Sequence, residues 1–163
     1  MINKLDKTKI LNQLVVQLES DLAASQNAAE AARDAATNEE SKSEDKHDTR
    51  SIEAGYLAGA QRKRVAEIKE LINFLKILKT KSFSKSDPIS ATALVHLDID
   101  GQELYYFVLP QGGGLKTNVE GVEIQTVTPL TPLGESLLGM KTGDVVVVEA
   151  KKVTREYEIV GIA

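Results

Sequence analysis

In the first half of the chain, apolar and small side chains recur at Leu11, Val15, Leu18, Leu22, Ser25, Ala29, Ala32 and Ala36, stepping alternately by four and three. A heptad seam of this kind, with one polar interruption at Ser25, predicts a long helix that buries a single stripe. Asp6 stands where an N-cap is wanted, although Lys9 occupies the position where a capping box would carry Glu. A second seam, Val65, Ile68, Ile72 and Leu75, flanked by Leu71, Phe74 and Leu78, predicts another helix from about Ser51 to Lys79. At ~1.5 Å per residue each would be roughly 45 Å long. Neither can bury its stripe alone, and the chain between them is short, so the two are expected to fold back into an antiparallel coiled-coil hairpin.

The side chains along that hairpin are graded. Leu, Val, Ile and Phe lie toward its base, whereas alanines with Gly55, Ala58 and Gly59 lie toward the turn and predict close approach of the helices there. The stretch "NEESKSEDKHDTR", residues 38–50, then becomes the tip. It carries Glu39, Glu40, Glu44, Asp45 and Asp48 and has no aliphatic side chain. Residues 30–53 hold eight acidic and four basic side chains, and residues 62–81 hold seven basic and two acidic, so the finger is acidic at its end and basic along one shaft. Charge runs are usually solvated helix faces, so this polarity assigns no function by itself.

The pattern changes at "KTKSFSKSDP", residues 79–88, where Pro88 disfavours helix at Asp87. All four prolines, Pro88 included, and most of the glycines lie from here onward, among short β-rich runs. In "ALVHLDIDGQELYYFVLP", residues 93–110, Asp100-Gly101 separates two alternating runs as a two-residue hairpin turn would. "VEIQTV", "DVVVVEA" and "REYEIVGI" read as further strands. Between them, Thr131 can cap a short helix, Pro132 fits its first turn, Gly139 can end it and Gly143 can turn the chain into the next strand. The reading is α+β, with a helical domain over 1–80, a linker over 81–91 and a mixed domain over 92–163.

Composition narrows the function classes. The 163 residues are 42% hydrophobic and 27% charged, and no run approaches the length of a membrane span. With no apolar leader in "MINKLDKTKI", a cytoplasmic, membrane-free protein is expected. The absence of cysteine removes disulfides and thiolate chemistry, and two isolated histidines, His47 and His96, make a histidine metal cage a poor expectation. "GGGLKT", residues 112–117, imitates the end of a phosphate loop but has no glycine directly before Lys116 and no helix behind it, so a hairpin loop is expected. His47 beside Asp48 has no nucleophile to serve and reads as an exposed tip residue.

The stretch "TPLTPLGESLLGMKTGDVVVV", followed by "REYEIV", resembles the C-terminal signature of bacterial Gre-type transcript-cleavage factors. Thr131, Pro132, Leu133, Gly134, Leu137, Leu138, Gly139, Gly143 and Asp144 fall on that signature at its spacing. The resemblance covers about residues 122–163 as motif and the whole chain as architecture. It implies an N-terminal antiparallel coiled coil with an acidic tip, followed by an FKBP-like C-terminal domain. Prolyl isomerase activity does not follow, because no tryptophan-floored pocket is available.

The resemblance further implies a non-enzymatic partner of bacterial RNA polymerase. The globular domain would dock at the rim of the secondary channel through Thr131, Pro132, Leu133 and Gly134. The coiled coil would reach the active site, where tip carboxylates help hold a Mg²⁺ shared with the polymerase during cleavage of backtracked RNA. Carboxylates suit that task, since magnesium takes hard oxygen ligands. The isolated chain would hold no metal, and Arg62, Lys63 and Arg64 would meet phosphates near the nascent RNA 3′ end. The tip departs from the family's Gly-Asp-x-x-Glu-Asn. Aligning on Glu44-Asp45 puts Glu40 and Ser41 at the Gly-Asp positions, whereas aligning on "GYLAGAQ" brings Asp48 and Glu53 near the acidic ones. The candidate catalytic carboxylates are therefore Glu40, Glu44, Asp45 and Asp48. A regulator that fills the channel without cleavage, and a coiled-coil adaptor unrelated to polymerase, are the competing readings. A factor would be monomeric, whereas an adaptor would bury Leu14, Val16, Leu71 or Phe74 between chains.

Overall fold

The structure is a computed structural model. It describes residues 2–42 and 49–163, with side chains save those of residues 36, 39–42, 49–51 and 54. A short 3-10 helix, Ile2–Lys4, leads into α1 (Lys7–Lys42) and α2 (Thr49–Ile77). Six strands and one short helix follow: β1 (Leu94–Ile99), β2 (Gln102–Val108), β3 (Lys116–Val119), β4 (Val122–Val127), α3 (Pro132–Leu137), β5 (Val145–Ala150) and β6 (Val153–Ile162). The chain forms two compact units, Val15–Lys76 and Met1–Leu14 with Ile77–Ala163.

In the helical unit the heptad seam is the buried face. Val15, Leu18 and Ala32 of α1 and Ala58, Ile68, Ile72 and Leu75 of α2 are buried. Val65, Leu71 and Phe74 are half-buried. Lys76 Nζ of α2 lies 3.1 Å from Glu19 Oε1 of α1, an exposed ion pair. The glycines depart from the expectation of close helix approach: a Cβ added at Gly55 or Gly59 would meet no described atom within 4 Å.

The sheet unit is a mixed six-stranded sheet in the order β3-β4-β2-β1-β6-β5. Neighbours are antiparallel except β2 and β4, which run parallel from Tyr106 opposite Gln125 to Val108 opposite Val127. The expected β1–β2 hairpin turns on Asp100 (φ 53°) and Gly101 (φ 81°), the paired positive dihedrals of a type I′ turn, whose twist matches its strands. A second such turn, Glu120 (φ 54°) and Gly121 (φ 84°), joins β3 to β4. Alternation along the strands puts Val95, Leu97, Val146, Val148, Tyr157 and Ile159 into one core with Val108, Val127 and Leu137.

Residues 78–93, which include the expected linker, are fastened to this unit. Ile89 is buried, its N–H donates to Met140 O at 2.8 Å, and its own carbonyl accepts from Gly139 N at 2.8 Å. Lys81 N donates to Thr92 Oγ1 at 2.9 Å. The start of α1 belongs here too. Asp6 Oδ1 accepts from Thr8 N at 2.8 Å as the expected N-cap, and Lys9 pairs with Glu120 at 2.8 Å. Ile10 and Leu14 are buried. The boundary between helical and globular parts thus falls inside α1, since residues up to Leu14 belong to the sheet unit and Lys7 and Lys9 have their polar partners there.

Candidate functional site

The segment Thr128–Asp144 is built almost wholly from backbone constraints. Thr131 N donates to Thr128 O at 3.1 Å, closing a turn with Pro129 at its second position, where a fixed φ is favourable. Thr131 then caps α3. It is extended (φ −97°, ψ 152°) and its Oγ1 accepts from Gly134 N at 3.1 Å. The same hydroxyl donates back to Thr128 O at 3.0 Å. Pro132 opens the helix, where a missing N–H costs nothing. Gly134 is required sterically, since a Cβ there would lie 1.9 Å from Thr128 O. Leu133 packs part-buried against the core, and Leu137 is fully buried.

The exit is equally specified. Gly139 (φ 80°) ends the helix and Gly143 (φ 95°) donates to Ile159 O at 2.8 Å, which aims the chain into β5. Asp144 Oδ2 accepts from Lys141 N at 2.8 Å. The four residues expected to dock therefore sit together, yet Thr131, Leu133 and Gly134 have tasks inside the fold that need no partner. The outward surface comes from Pro132, which is exposed, and from Leu130, which is 92% exposed at the turn. Leu138 and Met140 add partly exposed apolar surface beside it. The sequence reading passed over Leu130; the signal available was a leucine between Pro129 and Thr131, a turn position that faces water.

The basic residues are in α2. Arg62, Lys63 and Arg64 are all exposed. Lys63 has a loose i,i+4 contact with Glu67, 3.9 Å, and among the described residues no ion pair involves Arg62 or Arg64. Of the tip carboxylates, Glu44, Asp45 and Asp48 lie outside the described residues, as does the side chain of Glu40. Among the described residues no cluster of three or more His, Asp or Glu side chains could hold a metal ion. No helix among them is long and apolar enough to cross a membrane.

Two weaker motifs resolve. In residues 112–117 the N–H groups of Gly114 and Leu115 donate to Thr126 O and Thr126 Oγ1, each at 2.9 Å. Lys116 pairs with Glu123 at 3.0 Å. With these donors already paired and β3 rather than a helix following, the segment lacks the helix N-terminus that an anion cradle needs. His96 stacks on its cross-strand neighbour Tyr105, ring centroids 4.5 Å apart and 9° from parallel.

A lysine that sequence reasoning missed lies at the start of α1. Lys7 Nζ donates to Lys81 O at 2.6 Å and lies 4.6 Å from the centre of the Phe83 ring. Burial of the ammonium lowers its pKa from 10.5 to about 8.

Residues 92–163 match the family described as "Transcription elongation factor, GreA/GreB, C-term". No curated protein matches the sequence significantly. Among solved structures, GreA factor homolog 1 (Gfh1) of Thermus thermophilus is similar at 18% identity and a TM-score of 0.37, over 91% of this chain and 94% of that one. Gfh1 of Thermus aquaticus is similar at 21% identity and a TM-score of 0.37, over 90% and 91%. A prokaryotic transcription elongation factor GreA/GreB from Nitrosomonas europaea is similar at 14% identity and a TM-score of 0.36, over 64% of this chain and 88% of that one.

Proposed function

We propose that this chain, whose C-terminal domain belongs to the GreA/GreB family, is an elongation factor that binds bacterial RNA polymerase and acts in its secondary channel. The observation that carries the reading is the family match across residues 92–163, the stretch in which the Thr131-capped helix is held on its sheet. In this reading the sheet unit is the FKBP-like docking domain, with Leu130 and Pro132 the side chains free to touch the partner. Residues 15–76 are the antiparallel coiled-coil finger, a reading supported by the buried seams of α1 and α2 and by the Glu19–Lys76 pair.

The second Mg²⁺ of the cleavage reaction belongs to the polymerase and, when bound, supplies the charge that activates a water. The chain's contribution is oxygen ligands from Glu40, Glu44, Asp45 and Asp48 at the end of the finger, and positive charge from Arg62, Lys63 and Arg64 against RNA phosphate. It carries out no chemistry alone. An adaptor that buries its seam between chains is less well supported, since Leu14 is already buried in the single chain and Val16, 59% exposed, lies off the buried face.

Two measurements test the reading with the full-length protein. Binding to core RNA polymerase should be detectable and should be lost when residues 88–163 are removed. Cleavage of the backtracked transcript in a stalled complex should accelerate on addition of the protein. Absence of binding defeats the proposal. Binding without cleavage at any Mg²⁺ concentration replaces the cleavage helper with a factor that fills the channel.

A further inference from the structure

Tyr56, in the N-terminal half of α2, is 77% exposed. Ile52, four residues earlier and so on the same helix face, is 49% exposed, and the adjacent Leu57 is 53% exposed. Solitary exposed apolar residues are ordinary, but an aromatic ring beside an aliphatic side chain on one exposed face gains no packing energy and loses solubility. Lys63 follows Tyr56 by seven residues, two helical turns, and returns to the same face about 10 Å along the axis. Arg62 and Arg64 flank it, exposed and without ion-pair partners among the described residues.

An aromatic platform beside a cationic run is the pairing by which proteins hold unpaired nucleic acid: the ring stacks on a base, and the cations meet the phosphates. Every nucleobase has a π-face, so such a contact tolerates any sequence, which suits a factor that must meet whatever transcript is present. Glu53 and Glu67 bring opposing charge, but over residues 53–67 the cations outnumber them. We propose that Tyr56, supported by Ile52, is a stacking platform for an unpaired base of single-stranded RNA whose phosphates are met by Arg62, Lys63 and Arg64. This rests on the polymerase reading, and it adds a residue that binds the transcript by its base rather than by its charge.

The test uses the full-length protein and a fluorescein-labelled oligouridylate, with anisotropy read at low salt, and binding to core RNA polymerase measured separately. Wild-type protein should bind the oligonucleotide with an affinity that falls as salt rises. Tyr56→Ala should weaken it by about fivefold or more, Tyr56→Phe and Tyr56→Trp should retain it, and polymerase binding should be the same for all four proteins. Arg64→Gln should instead flatten the salt dependence by about one phosphate contact. Circular dichroism of Tyr56→Ala, expected to match wild type at so exposed a site, excludes unfolding as the cause of any loss. The proposal fails if wild-type protein does not bind the oligonucleotide, or if Tyr56→Ala binds it as tightly as wild type. It also fails if Tyr56→Ala weakens only polymerase binding, which would make this face a protein contact. Loss of polymerase binding in wild type would defeat the functional reading while leaving the RNA measurement intact.

Discussion

Gly134 stands directly against Thr128: a Cβ on the glycine would lie 1.9 Å from the threonine carbonyl oxygen and 2.6 Å from its carbonyl carbon. Both atoms are backbone, so no rotamer change relieves the clash. Gly134→Ala is expected to lower the stability of the sheet unit by about 1–3 kcal/mol, the range for forcing a methyl into filled space. Urea unfolding followed through Tyr105, Tyr106 and Tyr157 would check this. A midpoint unchanged from wild type would show that the turn gives way easily.

Thr131 offers a milder version of the same dependence. Its hydroxyl accepts from Gly134 N and donates to Thr128 O, so Thr131→Ala removes the helix cap and one bond of the turn. The expected loss is about 1 kcal/mol, with Thr131→Ser close to wild type because it keeps both bonds. Equal losses in the two variants would place the contribution in the methyl group instead.

Much of this was legible in the sequence because local rules and tertiary structure agree. Asp6, Thr131, Gly139 and the Asp100-Gly101 pair carry signals of one or two residues, and each does in the structure what its chemistry favours. The heptads were equally plain, since a seam repeats. What escaped was non-local. β3 is only four residues long and sits in "KTNV", behind three glycines that read as loop; its partner β4 and the Glu120-Gly121 turn define it. Likewise, nothing local marks residues 7–14 as part of the sheet unit. Their attachment comes from Lys9 reaching Glu120 and Lys7 reaching Lys81, contacts more than 70 residues apart in sequence. The Thr131–Gly134 motif was legible, but Thr131, Leu133 and Gly134 build the turn and helix, and the exposed apolar surface there comes from Pro132 and Leu130.

Lys7 makes stability depend on pH in a defined direction. Burial lowers the folded-state pKa to about 8, whereas the unfolded side chain keeps its proton to about 10.4. Between these values the unfolded state binds more protons, so the Lys7 contribution to stability rises with pH. The bond to Lys81 O and the Phe83 ring oppose the shift by favouring the ammonium. Urea midpoints of wild type and Lys7→Met at pH 7, 9 and 10.5 should show wild type gaining on the variant as pH increases. A constant difference would mean that folding leaves the Lys7 pKa unchanged.

Leu130 should separate docking from folding. At 92% exposure it has almost no packing to lose, so Leu130→Ser is expected to leave stability within about 0.5 kcal/mol of wild type. If the turn meets polymerase, affinity should fall several-fold, since apolar anchors at an interface centre carry a disproportionate share of binding. Equal affinity for the two proteins would move the docking surface elsewhere on the sheet unit.

If carboxylates within residues 39–53 reach the polymerase's Mg²⁺ as proposed, two registers are open, and single substitutions can choose between them. Anchored on Glu44-Asp45, the carboxylates at work are Glu40, Glu44 and Asp45; anchored on "GYLAGAQ", Asp48 and Glu53 take their place. Glu44→Gln and Asp48→Asn each remove one charge with little change of shape. Only the variant that loses a ligand to the polymerase's Mg²⁺ should slow cleavage of backtracked RNA, and it should do so without weakening binding to polymerase. More Mg²⁺ should restore part of the rate, because a site short of one oxygen ligand binds the ion less tightly rather than not at all. A loss that added Mg²⁺ does not touch would point to a role in orienting the water. If both variants cleave like wild type, neither Glu44 nor Asp48 is a ligand of the ion.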